Sequence, residues 1–414
     1  MELLDCRGRT SAQSGRAIIE HYNAGAAGAR LEARVDAYDT SLRIWLLEAG
    51  VRHGIAREED ATFLLSIERG LSPAQGSISG LHHVVTAADG TVWTGERGRH
   101  VARIDGREKR VVASAAVATQ ASHFALDSEA RLLFIADAGS NQIVAVRASD
   151  LRIEHTWPAP GRPQLPLASP GGVVCVTGSS SGTLTIARPR RNGYDVQTLA
   201  IGSHPHDPLL DREGDYLFVP CAGDGEVVKV RLADGHVVGR CAVGDGPAHL
   251  ALHPDGDRVY SANSWDGTLS CLSVEGERVA HAESGAWAHA IDITPDGRWV
   301  YVANFLEDTL AVFDATTLAR VALLPTEPYP HGLDVSPDGR YVIATGFASD
   351  YVRLYDAQEH CEIARIEVGR GSSHSVFLRD GDIAFVACSV SDHVACIDLA
   401  MRRNITTIKP EVRG

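Results

Sequence analysis

From residue 79 onward the chain repeats one unit eight times, and seven of the copies open with a histidine. Three copies have decayed least: PHGLDVSPDGRYVIATGFASDYVRLYDAQ from Pro330, WAHAIDITPDGRWVYVANFLEDTLAVFDATT from Trp287 and PAHLALHPDGDRVYSANSWDGTLSCLSV from Pro247. Each sets short apolar runs between turns of PDG type, and Asp-Gly supplies the positive φ that a tight hairpin requires. Alternation such as Trp299-Val300-Tyr301-Val302 marks half-buried strands. Repeats of about 42 residues with four strands apiece predict a β-propeller, whose units bury their faces only by stacking on one another. The units begin near Gly80, Ala121, Gln164, Pro205, Pro247, Ala288, Pro330 and Ser373. That predicts eight blades, or seven if the degenerate first unit completes another blade.

In such a fold the same position of every repeat faces the same axis. The blade-opening histidines are His82 and His83, His123, His206, His249, His289, His331 and His374; the third unit has Leu165 near the equivalent position. All are expected at one mouth of the central channel. Alternate residues of a strand point to opposite faces, so about four to six rings are expected to reach the axis. Clustered imidazoles repel one another once protonated, and a metal or an anionic ligand removes that penalty. An imidazole-rich set with few carboxylates suits copper, iron, zinc or nickel rather than calcium or magnesium. The expectation is copper or iron, with zinc or a tetrapyrrole as further options. The competing reading is a packing habit in which each ring bonds a neighbouring turn.

Asp207, Asp292 and Asp334 lie near these histidines and are expected to orient imidazoles from behind. Trp287 and Tyr329 precede blade openings, and Trp265 and Phe305 follow second strands. These four aromatics are expected to wall a pocket over the ring.

Residues 1–70 follow a different plan: a strand at 2–6, a helix at 12–22, a strand at 31–35, a helix at 40–49 and two short strands ending near Glu68. This βαβαββ order predicts a small two-layer α/β domain, joined through a linker at 71–78 to a propeller at 79–414. The segment beginning LDCRGRTSAQSGRAIIEHYNAG resembles a TusA-type sulfur carrier domain. That family's signature is L-D-x-x-G-x-x-C-P-x-P, and its cysteine bears a persulfide at a helix N-terminus. Asp5 and Gly8 match, but the reactive cysteine falls on Ser11 and the prolines on Ala12 and Ser14. Serine cannot hold a persulfide, and Cys6 lies five residues upstream as a weak substitute. The C-terminal part resembles the YVTN family of propellers, most plainly at YVAN (Tyr301–Asn304) and YSAN (Tyr260–Asn263). Nitrous oxide reductases, with a copper cluster on propeller histidines, and haem d1 proteins, with a tetrapyrrole in a propeller funnel, resemble this chain in architecture only.

A net charge of −14 and a pI near 5.7 disfavour nucleic acid or an anionic membrane as partner. The start MELLDCRGRTSAQSGR lacks the layout of a secretory signal, so a cytoplasmic location is expected. Eight scattered cysteines without a C-x-x-C pair read as small buried hydrophobes. The leading functional expectation is therefore a cytoplasmic metalloprotein, a copper- or iron-dependent oxidoreductase linked to sulfur or small-molecule metabolism. The alternative is a non-catalytic scaffold docking a protein partner, such as a sulfur-trafficking protein, through the TusA-like domain. A lactonase or other hydrolase ranks last, because neither a calcium-type cage nor a Ser-His-Asp set stands out.

Overall fold

The computed structural model describes residues 2–7, 14, 18, 30–35, 53–57, 63–68, 83–96 and 98–409. The chain divides into two compact units, Met1–Ser79 and Gly80–Gly414. Among the described residues no helix is long and apolar enough to cross a membrane.

In the first unit β1 (Glu2–Asp5), β2 (Arg30–Val35), β3 (His53–Arg57) and β4 (Phe63–Glu68) form one sheet in the order β1-β2-β4-β3. β1 and β2 run parallel, which requires a long crossover, and Ser14 and Ile18 within it are helical. Cys6, Ile18, Ala33 and Val35 are buried. The helix expected at 40–49, the linker at 71–78, Ser11, Ala12 and His82 lie outside the described residues.

The second unit is a propeller of eight blades, each a four-stranded antiparallel meander of consecutive strands. Blades 1 to 8 span residues 84–116, 121–158, 167–200, 209–242, 247–283, 288–325, 330–367 and 372–408. The seven-blade alternative falls away, because the first unit has all four of its own strands. First strands pack against the first strands of adjoining blades, and that of blade 8 packs on that of blade 1, so they are the innermost. Among the described residues closure rests on side chains: Val84, Val92 and Ile104 of blade 1 interlock with Phe385, Ala387 and Val394 of blade 8.

The YVAN motif has a structural explanation. Tyr301 donates its hydroxyl to the Ala357 carbonyl at 2.9 Å, and Tyr260 to the Ala315 carbonyl at 2.7 Å, so each tyrosine ties its blade to the next. Asn304 donates to Thr309 Oγ1 at 3.0 Å and Asn263 to Thr268 Oγ1 at 2.9 Å, closing the following hairpin. At the PDG turns Gly297 and Gly339 take φ of 72° and 70°, a region glycine enters without steric cost.

Candidate functional site

Seven of the expected imidazoles form one continuous arc. Ring centroids are 5.0 Å apart for His206 and His249, 4.5 Å for His249 and His289, and 5.1 Å for His289 and His331. The arc continues at 5.1 Å through His331–His374, His374–His83 and His83–His123, crossing the closure between blades 8 and 1. More rings converge than strand alternation predicts. The cause is a set of bulges: the first strands slip register between Pro247 and His249, Ala288 and Ile291, Pro330 and Leu333, and Ser372 and Ser375. A bulge re-aims the side chain it carries, which absorbs the one-residue offsets between repeats.

The arc is interrupted at blade 3. Gln164 donates its backbone N–H to the Thr177 carbonyl at 3.0 Å, as His206 does to the Pro220 carbonyl at 2.9 Å. Gln164, not Leu165, therefore holds the histidine position, and its amide turns to Ser179 Oγ at 3.1 Å. Leu165 corresponds instead to Asp207 in blade 4.

Asp207 belongs to the arc rather than supporting it from behind. Its Oδ2 lies 3.3 Å from His249 Nε2, and its Oδ1 lies 3.7 Å from His206 Nδ1. His249 Nδ1 lies 2.9 Å from the His289 carbonyl oxygen, so that nitrogen carries the proton and donates it. His206, Asp207 and His249 each offer a ligand atom, and these atoms lie within 4.8 Å of one another. Burial opposes ionisation of Asp207, but the contact with His249 and the fields of His206, His249 and His123 outweigh it and hold the carboxyl well below the usual range. Burial pulls His206 down to about 4 and holds His289 well below the ordinary imidazole value, with neighbouring rings adding to the effect on His289. Both rings are neutral at pH 7.

The other two aspartates do not orient imidazoles. Asp292 accepts from the backbone N–H groups of Ile293 and Val335, both at 2.8 Å, and Asp334 accepts from the Ser375 hydroxyl. They sit three residues past their histidines, further down the innermost strands, where burial raises them to about 6 and about 7.

Of the expected aromatic wall, Phe305 meets the arc directly, 5.7 Å from His289 and 6.3 Å from His331. Tyr329 packs on Phe305 at 5.3 Å. Phe347, 6.0 Å from His331, completes this wall and was not expected from the sequence. Trp287 is buried, and Trp265 lies over Gly246, where a Cβ would meet its indole at 2.2 Å. These two indoles seat the loops.

A second set was also missed. The residue just before the opening of blades 3 to 8 has positive φ in every case: Arg162 at 57°, His204 at 49°, Gly246 at 69°, Trp287 at 60°, Tyr329 at 56° and Gly371 at 70°. Four of the six are not glycine, and each accepts a strain of about 1–3 kcal/mol. The alternation of large residues with glycine at a turn position carried that signal. Arg162 is exposed by surface yet hemmed in by protein, which lowers the affinity of its guanidinium for the proton.

The sequence model of the family described as lactonase, 7-bladed beta-propeller matches residues 190–361 and 324–410. A 6-phosphogluconolactonase of Sodalis glossinidius is 27% identical over 179 residues, which is 38% of this chain and 54% of that one. The chain thus spans about half the length of this curated relative. A putative 6-phosphogluconolactonase of Bacteroides uniformis superposes with a TM-score of 0.54 at 18% identity, over 70% of this chain and 97% of that one. Dihydro-heme d1 dehydrogenase NirN, solved in complex with DHE, gives 0.62 at 18% identity, over 71% of this chain and 68% of that one. At such identities these two structures show the fold alone. The family and the named relatives overturn the expected copper- or iron-dependent oxidoreductase, and with it the non-catalytic scaffold. The family's description names a lactonase, the reading the sequence had ranked last.

Proposed function

This chain belongs to the lactonase, 7-bladed β-propeller family, although its own ring closes with eight blades, and we propose that it hydrolyses a sugar lactone at the arc of imidazoles. One observation carries the reading. Neutral rings at His206 and His289 flank His249, which faces the ionised Asp207 on one side and bonds a backbone carbonyl on the other.

A lactone is a cyclic ester. Its opening needs a base for water, charge stabilisation for the tetrahedral oxyanion and a proton for the departing alkoxide. A neutral imidazole of the arc takes a proton from water as its oxygen attacks the carbonyl carbon, and Asp207 favours the imidazolium so formed. The oxyanion collapses, the ring C–O bond breaks, and the imidazolium returns its proton to the alkoxide, giving a hydroxy acid. General base catalysis of this kind supplies about 10²–10⁴-fold. The wall of Phe305, Tyr329 and Phe347 offers flat apolar faces beside His289 and His331, suited to the C–H face of a sugar ring.

The test is base consumption at constant pH with glucono-δ-lactone and its 6-phosphate. Acceleration over the buffer rate, lost in His289→Ala, supports the reading. No acceleration with either lactone would overturn it.

The resemblance of the first unit to a sulfur carrier fold is part of this proposal, supported by the parallel pair β1–β2 and the helical residues between them. A cytoplasmic location is supported by eight cysteines that are all free thiols.

A further inference from the structure

We infer that His206, Asp207 and His249 form a binding site for a divalent cation of the zinc type, with one coordination position open to water. The inference adds a cofactor to the lactone-opening site proposed above and rests on that reading for its catalytic role, but not for binding.

The argument starts from proton positions. His249 donates from Nδ1 to the His289 carbonyl, so in the neutral ring Nε2 presents a lone pair, and that lone pair faces Asp207 Oδ2 at 3.3 Å. The Nδ1 of His206 is buried without a hydrogen bond, and with the ring proton on Nε2 it also presents a lone pair. Nδ1 lies 3.7 Å from Asp207 Oδ1, itself buried and without a hydrogen bond. Two imidazole lone pairs and a carboxylate therefore converge with no donor between them. With both rings neutral such a cluster is repulsive, and a bound cation relieves it as a proton on His249 Nε2 would.

The spacing of the two nitrogens about Asp207 is close to that of a metal site. Zinc binds nitrogen and oxygen at about 2.0–2.2 Å, so adjacent ligands of a tetrahedral site stand about 3.3–3.6 Å apart. The two contacts of Asp207 are 3.3 and 3.7 Å. Imidazoles held from behind by backbone carbonyls are the usual support for such ligands, because the bond fixes the tautomer and the ring plane. Three protein ligands leave the fourth position for water, whose pKa a zinc ion lowers to about 7. Soft thiolate competition is remote, since the cysteines of blades 4 and 5 are buried on strands with their thiols pushed up by burial.

The experiment uses the full chain, stripped of metal with chelator, and titrates it with Zn²⁺ by calorimetry and with Co²⁺ by visible absorption. Asp207→Asn and His249→Gln serve as site variants, and His236→Ala, an exposed histidine away from the arc, as control. The expected result is one tight equivalent of Zn²⁺ and a tetrahedral Co²⁺ spectrum, with affinity falling about 10–100-fold or more in the site variants and unchanged in the control. Circular dichroism checks that each variant is folded. If Asp207→Asn unfolds, the more conservative Asp207→Glu reports instead. Absence of binding, or binding that the site variants leave intact, overturns the site. A protein that binds the ion but opens no lactone keeps the site and rejects the proposed function. A metal-free protein that opens lactones at full rate keeps the function and rejects the ion as its cofactor.

Discussion

The imidazoles of His249 and His289 meet edge to face at 4.5 Å, and the ring of the first is tied to the backbone carbonyl of the second at 2.9 Å. Blades 5 and 6 are thus joined through the site itself, and a change at either residue is felt at both. His289→Ala removes a neutral ring and leaves the carbonyl bond in place. The expected outcome is a kcat lower by about 100-fold or more, with the unfolding midpoint little changed. Initial rates alongside a thermal melt check it, and equal losses in both would mean that the residue serves folding alone.

Asp292 and Asp334 make stability depend on pH in the opposite sense from most carboxylates. Burial raises them from 3.8 to about 6 and about 7, so the folded protein holds protons that the unfolded chain has released. Their contribution to stability is full below about pH 4, falls as pH rises to about 7, and is flat above that. At about 1.4 kcal/mol per pKa unit the two shifts together correspond to roughly 7 kcal/mol. Urea unfolding between pH 4.5 and 8 measures it, and Asp292→Asn with Asp334→Asn flattens the slope. His206 and His289, whose protonation burial disfavours, slope the other way between about pH 4 and 6.5. The difference between wild type and the double variant is therefore the measure, and a difference that does not shrink as pH rises would rule out the assignment.

Arg162 lies at the opening of blade 3, the blade that lacks a histidine, where its backbone N–H is held by Asn141 Oδ1. Arg162→Ala is expected to raise KM for a phosphorylated lactone by about 10-fold or more while leaving kcat alone, since a lost charge-assisted hydrogen bond is worth roughly 1.5–3 kcal/mol. The unphosphorylated lactone supplies the comparison. A uniform change with both substrates would place Arg162 outside the anion's reach.

Phe385 is fully buried where blade 8 meets blade 1. Phe385→Ala is expected to cost about 3–5 kcal/mol, a larger loss than truncating an exposed side chain such as Val279 on an outer strand. Denaturant midpoints of the two variants decide the comparison.

The repeat and its turn signals made the blades legible, because Asp-Gly hairpins and period-two alternation are local properties. The histidines were legible for the same reason. Their number at the axis was not, since it depends on bulges that shift register inside the first strands. Blade 3 was misaligned by one residue because its first strand is only Leu167–Ala168, too short to carry a pattern. The part of Asp207 was hidden for another reason. Its partner His249 is 42 residues away, and nothing in either repeat announces a contact across two blades. Lactone chemistry was illegible because it rests on such contacts and not on a contiguous motif.

Closure by side chains has a consequence for descent. Blades 1 and 8 each own four consecutive strands, so no sheet is sewn from the two ends of the repeat region. Duplicating or deleting one whole repeat then changes the circumference without orphaning a strand. A family typified by seven blades can in this way yield a member with eight, and each added blade brings another residue to the hub.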